Sequence, residues 1–184
     1  LEGRAYTPQQ AELIASAQTP HNALATEIAH AAGLRAHELL TLRPVAERAA
    51  DPRPALDSKW KGRSGEIYTV QGKGGLTREV MIPHELAARL EERRLDAPQV
   101  VTDRGVFYQS SYDIGGGQRW SNSVSAASER TMGRSTGAHG LRHSYAQERM
   151  TELQNRGLSR DAALETVSQE MGHFRPEITE TYLR

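Results

Sequence analysis

The sequence contains no cysteine among its 184 residues, which excludes a disulfide framework and thiol catalysis. It also lacks any apolar run that approaches a membrane span or the core of a signal peptide, so we expect a soluble protein with no membrane partner. Internal repeats and low-complexity tracts are missing as well. A chain of this length forms one large domain or two small ones and buries a substantial core without covalent cross-links.

An excess of charge of one sign is also missing, because 23 basic and 23 acidic residues cancel at neutral pH. Bulk electrostatics therefore give no argument for a nucleic-acid partner. The local distribution is uneven, however. Residues 59–78 contain five Lys or Arg and one acid, Glu66, and residues 119–143 contain four Arg and one acid, Glu129. This segregation of charge predicts one basic face.

Capping signals and hydrophobic periodicity predict a chain that is mainly α-helical. Thr7 followed by proline indicates a helix that reaches about residue 17, and a second helix from His21 to Ala32 is expected to end at Gly33. The remaining helices are expected over residues 84–95, 121–132, 138 onward, 159–172 and 177–183.

Two segments, residues 66–70 and 77–82, have the alternating, β-branched character of strands on either side of a glycine-rich turn. They predict a hairpin whose flexible tip carries Lys73. We therefore expect an α+β fold, mainly α-helical, with a small antiparallel β-hairpin or sheet on one side. Residues 103–120 combine glycines with aromatic side chains and predict a loop or irregular ribbon, whose aromatics either touch nucleic acid or pack against the core.

Three side chains that can carry positive charge, His139, Arg142 and His143, occupy five residues at the start of the helix expected from Ala138. Residues three and four apart share one side of a helix, and the helix N-terminus favours negative charge. The cluster therefore predicts an anion site, with phosphate as the natural ligand. Two other interpretations stay open: a pair of metal ligands at positions i and i+4, or an ordinary helix start with a core histidine.

Two further charged positions also allow more than one interpretation. Arg35 and Glu38 lie three residues apart, so Glu38 either supports a functional Arg35 or makes a surface ion pair on an amphipathic helix. Lys73 either acts from the tip of the hairpin or only solubilises a turn.

Taken together, these segments form an ordered set along the chain. Its members are Gly33-Leu-Arg-Ala-His-Glu-Leu39, Gly72-Lys-Gly74, His139-Gly-Leu-Arg-His143, Gly172-His173, and Tyr182 nine residues after that histidine. The set resembles the catalytic domain of the tyrosine recombinases, the phage integrase family. Each motif is weak alone, but all of them occur in the family's order over nearly the whole chain.

The resemblance implies site-specific DNA recombination or integration, as in a mobile genetic element. Tyr182 would attack the scissile phosphate and form a 3′-phosphotyrosyl intermediate. Arg35 and Arg142 would clamp that phosphate, and Lys73 would act as general acid. His139 and His173 would hydrogen-bond the phosphoryl oxygens or handle the tyrosine proton. The resemblance implies neither a metal nor any other cofactor.

By the same resemblance Glu38 would support the site. The partner would be double-stranded DNA, bound by the full-length protein as a homotetramer, and the location a bacterial cytoplasm. The DNA contacts would come from the basic segments, at Lys59, Lys61, Arg63, Arg78, Arg119, Arg134 and His143.

On this interpretation, residues 5–184 are the catalytic domain without the family's N-terminal core-binding domain, and residues 1–4 are a protease-site remnant of an expression tag. Two features depart from the family. Thirty residues separate His143 from His173, more than in many members, and Met171 stands where leucine is usual. Three alternative functions stay open: DNA relaxation of the type IB topoisomerase kind, DNA binding without catalysis, and metal-dependent hydrolysis.

Overall fold

The computed structural model describes residues 3–184, which contain seven α-helices and five β-strands. Residues 1 and 2 of the expected tag remnant lie outside the described residues. In chain order the elements are α1 (Pro8–Ser16), α2 (Pro20–Ala32), β1 (Arg43–Pro44), β2 (Glu66–Gln71), β3 (Thr77–Ile82), α3 (His84–Glu91), β4 (Arg94–Asp103), β5 (Val106–Tyr112), α4 (Gly117–Met132), α5 (His139–Asn155), α6 (Arg160–Met171) and α7 (Pro176–Glu180). The expected α+β, mainly helical fold class is confirmed.

Helix ends follow the capping signals of the sequence. The Thr7 hydroxyl accepts a hydrogen bond from the Gln10 amide at 3.1 Å, and the Gln10 side chain accepts one from the Thr7 amide at 2.9 Å, which closes a capping box at α1. Ser159 caps α6 through the Ala162 amide. Gly33 and Gly172 end α2 and α6 with left-handed backbone, at φ 70° and 80°, a conformation that glycine adopts without strain.

The predicted hairpin is β2–β3, with Thr69 opposite Glu79, and β1 extends it into a three-stranded antiparallel sheet of order β1-β2-β3. Two short 3₁₀ turns, Glu38–Thr41 and Thr181–Leu183, follow the Arg35 segment and α7. The stretch after Gly33 is therefore a turn leading into 3₁₀ helix, where the sequence allowed an amphipathic α-helix. Within residues 3–184, each helix is too short or too polar to span a bilayer.

Of the loop or irregular ribbon expected over residues 103–120, the structure shows a ribbon up to residue 112 and a helix from residue 117. Strands β4 and β5 pair into a second antiparallel hairpin, with an irregular register between Arg94 and Gln99, and α4 already begins at Gly117. The turn of this hairpin is Arg104-Gly105, and both residues have positive φ, 49° and 76°, as a two-residue hairpin turn requires. The turn was not predicted because an arginine stands at a position that usually holds Gly, Asn or Asp. Helix α3 was expected to reach residue 95, but it ends at Glu91 because β4 begins at Arg94.

Most aromatic side chains of this region pack into the core. Trp120 is buried, and its indole Nε1 donates to the Thr26 hydroxyl at 3.0 Å. Tyr112 is also buried, and its hydroxyl donates to Glu91 at 2.6 Å. Phe107, by contrast, is 76% exposed. Of the two alternatives for these aromatics, the structure shows core packing for Trp120 and Tyr112.

A buried ion pair holds the connection between β1 and β2 against the C-terminal helices. The Arg149 guanidinium donates to both oxygens of Glu170 at 2.8 Å, and neither side chain is exposed. The same carboxylate accepts from the Tyr145 hydroxyl at 2.6 Å and from the Trp60 amide at 2.7 Å. Four hydrogen bonds therefore satisfy one charge in a region without solvent, as buried charges require.

Removal of the Glu170 carboxylate should destabilise the protein strongly. Glu170→Ala leaves the buried Arg149 guanidinium without this partner, and deleting one member of a buried ion pair costs about 3–5 kcal/mol. Urea unfolding followed by circular dichroism measures the change. Glu165→Ala, at an exposed position of the same helix, is the matched control and should change the free energy of unfolding by less than about 0.5 kcal/mol. Equal losses in the two variants would contradict this role for Glu170.

Candidate active site

Basic side chains from four separate segments line one cleft of about 610 Å³. They come from the turn after α2, the tip of β2–β3, the tip of β4–β5 and the start of α5. The basic residues that line it are Arg35, His37, Lys73, Arg104, His139 and Arg142. Such a lining, in a concave site, suits an anion with several oxygens.

Tyr182 is buried beside this cleft, on the 3₁₀ turn that follows α7. Its hydroxyl forms a hydrogen bond with His139 Nε2 at 3.0 Å. Its ring stacks on His173 with centroids 5.3 Å apart and lies 4.9 Å from the ring of His143. The Arg142 guanidinium carbon is 5.1 Å from the ring centre. The structure thus brings together the tyrosine, both expected histidines and one expected arginine.

Arg142 is the most deeply buried cation of the site, with 1% exposure. Its Nη1 donates to the Gly33 carbonyl, its Nη2 donates to His173 Nε2 at 3.0 Å, and its buried Nε has no partner among residues 3–184. Burial, followed by the charge of Arg35, lowers the pKa of Arg142 to about 10. Arg142 remains charged at neutral pH, and its Nε–H can donate one more hydrogen bond.

The contacts of His173 define its protonation. A guanidinium has no acceptor, so His173 Nε2 must accept the hydrogen bond from Arg142 and carry no proton. The proton of the neutral ring is therefore on Nδ1, which donates to the Thr179 hydroxyl at 2.7 Å. Burial and the charge of Arg142 lower the pKa of His173 to about 3, in agreement with a neutral ring.

Glu38 is the carboxylate that balances these cations, and it is 1% exposed. One oxygen accepts from the Arg35 amide at 2.8 Å and from Arg78 Nη2 at 2.9 Å, and the other accepts from Arg78 Nε at 3.1 Å. Burial alone would raise the pKa of Glu38, but Arg78, Arg142 and Arg35 outweigh it and lower the pKa to about 2. The supporting interpretation of Glu38 fits these contacts, and a surface ion pair does not.

Glycine at two positions makes room for the site. A Cβ at Gly33 would lie 2.8 Å from the Tyr145 ring, and one at Gly172 would lie 2.6 Å from Arg78 Nε. Both residues also have positive φ. The Gly33 carbonyl can therefore reach Arg142, and Arg78 can pass Gly172 on its way to Glu38.

The two histidines of α5 differ in accessibility. His139 is exposed on one side, whereas His143 is buried and its Nδ1 has no partner among residues 3–184. Burial is the largest cause that lowers the pKa of each ring, and the charge of Arg142 adds to it. Among residues 3–184, no group of three or more His, Asp or Glu side chains is arranged to hold a metal ion.

The residues expected to contact DNA fall into two groups. Arg78 and His143 are buried. Arg63 forms an ion pair with Glu152 at 2.8 Å and donates to the Ala31 carbonyl. These three side chains are therefore directed to the protein itself. The others remain at the surface: Lys61 and Arg119 are exposed, and Lys59 and Arg134 are half-buried. Lys59 lies over the Trp60 ring at 4.4 Å.

Two basic residues of the cleft, His37 and Arg104, were absent from the predicted site residues. His37 lies inside the Arg35–Glu38 motif, and its placement beside two charged residues was the available signal. Arg104 became a candidate only with the hairpin turn that carries it, because nothing in the local sequence linked residue 104 to the Arg35 segment.

Tyr6 connects the N-terminal segment to the loop that precedes His139. Its hydroxyl donates to the Gly137 carbonyl at 2.8 Å and accepts from the Thr136 amide at 3.1 Å. Its own backbone exchanges two hydrogen bonds with the Ser144 hydroxyl, at 2.7 and 2.8 Å. The start of α5, which carries His139, is therefore held from outside the helix.

Two solved structures share this fold. One is the XerH site-specific recombinase bound to palindromic difH substrate in a post-cleavage complex, with a TM-score of 0.60, 18% sequence identity, and coverage of 98% of this chain and 49% of that chain. The other is XerH bound to difH substrate in a pre-cleavage complex, with a TM-score of 0.58, 18% identity, and coverage of 98% and 50%. This chain spans about half the length of those recombinase chains. The likeness is one of fold.

No protein-family model matches the sequence, and no curated protein matches it either.

The histidines of the site should make stability depend on pH. The folded-state pKa of His173 lies near 3 and its ordinary value is 6.5, so between these values the unfolded chain binds a proton that the folded chain does not. The free energy of unfolding should therefore decrease as pH falls from about 6.5, at up to about 1.4 kcal/mol per pH unit for this group. His139 and His143 add decreases of the same sign, and Glu38 adds another below its ordinary pKa of 4.5.

Urea unfolding at a series of pH values tests this dependence. His173→Gln should flatten the slope between pH about 6 and 4.5, because it removes the largest of the histidine shifts. His84→Gln, an exposed control whose side chain is 62% accessible, should leave the slope unchanged. An identical slope in both variants would show that His173 is not the group responsible.

Proposed function

We propose that this chain is the catalytic part of a site-specific DNA recombinase, in which Tyr182 cleaves a DNA strand and holds the 3′ end as a phosphotyrosine. The observation that carries the proposal is the hydrogen bond between the Tyr182 hydroxyl and His139, on a tyrosine whose ring centre lies 5.1 Å from the Arg142 guanidinium carbon. A buried hydroxyl beside an imidazole and a fixed guanidinium is the arrangement that attack by Tyr182 on a phosphate would require. The shared fold with XerH, whose structures contain a DNA substrate, supports the same conclusion.

The proposed step transfers one phosphoryl group. Tyr182 Oη attacks phosphorus, the bond from phosphorus to the 5′ oxygen breaks, and the strand ends as a phosphotyrosyl ester and a free 5′ hydroxyl. A phenol is a weak nucleophile until it loses its proton, and the neutral His139 Nε2, at 3.0 Å, can accept that proton. Lys73 would supply a proton to the departing 5′ oxygen. One ester replaces another, so the energy of the broken bond is conserved for religation.

Arg35 and Arg142 would stabilise the charge on the non-bridging oxygens, which is the main source of catalysis in phosphoryl transfer. The Arg142 donors now bind the Gly33 carbonyl and His173. A phosphate offers stronger, charged acceptors, so DNA would take over one or both of these contacts and use the vacant Nε. His173, released from Arg142, would then change tautomer: its Nε2–H would donate a hydrogen bond to the phosphate, and its Nδ1 would accept one from the Thr179 hydroxyl.

The direct test is the capture of a covalent complex. A pool of duplexes with a randomised central segment, each nicked near its centre so that cleavage releases a short fragment, is incubated with the protein, and denaturing gels reveal DNA attached to protein. Sequencing the attached DNA gives the substrate for all later experiments. Wild-type protein should form the adduct, whereas Tyr182→Phe should form none and should bind the same DNA within a few-fold, because only the hydroxyl is lost. Adducts in the Phe variant at the parental rate would contradict the assignment.

The role of Lys73 can be separated from that of the phosphate clamp. If Lys73 protonates the leaving oxygen, Lys73→Ala should be slowed by roughly 10²–10⁴-fold on ordinary DNA. A substrate with sulfur at the bridging 5′ position should restore most of the rate, because a thiolate leaves without a proton. Arg142→Ala should stay slow on both substrates, because it stabilises charge at phosphorus. Arg89→Ala, which removes a basic side chain paired with Glu27, is the control, with near-parental rates expected on both.

DNA binding should weaken steeply with salt, since phosphate contacts release counterions. Arg119→Ala should reduce the slope of log K against log salt by about one, because Arg119 is exposed next to the cleft residue Trp120. Arg89→Ala, whose side chain pairs with Glu27 at 2.7 Å, is the control and should leave the slope unchanged. A flat dependence in the wild-type protein would contradict binding through a basic face.

A further inference from the structure

The Nε2 atom of His37 is buried and has no hydrogen-bond partner among the described residues. The residue lines the cleft between the two motif residues Arg35 and Glu38, yet His37 Nε2 has no partner among residues 3–184. The centres of the His37 and Tyr108 rings are 6.4 Å apart, and the Tyr108 hydroxyl also has no hydrogen-bond partner among the described residues. A buried polar atom without a partner costs about 1–3 kcal/mol, so its retention in the cleft calls for a partner that arrives later.

Lys73 is the complementary donor without an acceptor. It lines the same cleft, its side chain is exposed, and no hydrogen bond or ion pair joins it to any of residues 3–184. Its neighbours Gly72, Gly74 and Gly75 give the tip of β2–β3 conformational freedom, and a Cβ at Gly74 or Gly75 would meet nothing within 4 Å. The tip is therefore not packed against other residues at Gly74 and Gly75, as a segment that rearranges on binding DNA requires.

We infer that His37 is a positioning residue for Lys73: its Nε2 accepts a hydrogen bond from the Lys73 ammonium when the hairpin tip closes over DNA. This inference rests on the proposed function and adds a residue to it. An ammonium has three donors, so one can point to the departing 5′ oxygen while another is held by His37. The imidazole proton is then on Nδ1, and Nε2 has its lone pair free.

A neutral acceptor suits a general acid better than a carboxylate would. An anion beside Lys73 would stabilise the ammonium and raise its pKa, which makes proton donation harder. The His37 ring is uncharged at neutral pH, because burial, assisted by Lys73 and Arg35 and opposed by Glu38 and Asp103, lowers its pKa. His37 therefore fixes the direction of the Lys73 donor without weakening it as an acid.

The competing role for His37 is direct contact with DNA, with Nε2 protonated and donating to a phosphate. The two roles differ in which chemical step they assist. A phosphate contact helps with any leaving group, whereas a residue that acts through Lys73 matters only when the leaving group needs a proton.

The test measures adduct formation on the enriched nicked duplex and on its 5′-bridging sulfur analogue, with wild-type protein, His37→Ala, Lys73→Ala and the double variant. We expect His37→Ala to be slowed about tenfold or more on the oxygen substrate, a part of the general-acid contribution, and to react at nearly the wild-type rate on the sulfur substrate. In the Lys73→Ala background, His37→Ala should cause no further loss, because the two changes remove the same function. His37→Gln, whose amide oxygen can replace Nε2 as acceptor, should recover most of the rate.

Controls keep the outcomes separate. His84→Ala removes an exposed histidine and should react normally on both substrates. Thermal unfolding shows whether His37→Ala is folded. If His37→Ala is not folded, His37→Leu takes its place as the variant without an acceptor, and His37→Gln remains the variant that keeps one. Slow reaction of a folded His37 variant on both substrates, or an additive loss in the double variant, would overturn the inference in favour of a DNA contact. A normal rate on the oxygen substrate would also overturn it. Failure of the wild-type protein to form any adduct would instead refute the proposed function itself, and the inference with it.

Discussion

The contact between Glu38 and Arg78 is the interaction on which the site depends. Arg35, Arg78 and Arg142 all act electrostatically on one buried carboxylate, and without it these cations would repel one another in a region with little water. Arg78 also donates to the Glu170 carbonyl at 2.8 Å. Arg78 therefore joins the sheet, the turn after α2 and the end of α6, and this contact fixes the buried arginines relative to one another.

Two acceptors of the protein itself bind the Arg142 guanidinium. The Gly33 carbonyl and His173 Nε2 occupy the positions on Arg142 where phosphoryl oxygens are expected to bind. This arrangement satisfies both terminal nitrogens of a buried guanidinium, and it keeps His173 in the neutral tautomer that cannot donate from Nε2. If the proposed function is correct, phosphate binding and the change of tautomer at His173 would be linked, because both require Arg142 to exchange partners.

Local signals in the sequence were sufficient for much of this arrangement. Caps at Thr7 and Ser159, the left-handed glycines at 33 and 172, and the alternation around Lys73 each depend on neighbouring residues, and each led to the correct element. The ordered motifs also placed Tyr182 and His139 in one site, where the structure finds them 3.0 Å apart. Their chemical roles stay predictions.

Contacts between residues far apart in the sequence could not be predicted from such local signals. Arg78 counted only as one basic residue in a basic segment, and its burial against Glu38 depends on a contact 40 residues away. The β4–β5 hairpin was missed because an arginine occupies its left-handed turn, and the pairing of two long segments across that turn determines the strands. His37 and Arg104 joined the cleft through the same tertiary packing.

Tyr6 gives the site a mechanical property. Its hydroxyl and backbone bind the loop before His139 and the first turns of α5, through four hydrogen bonds of 2.7–3.1 Å. A displacement of the segment that leads into Tyr6 is therefore passed to the loop before His139 as well as to α1. Because His139 contacts Tyr182, the position of the N-terminal segment is coupled to the distance between these two side chains.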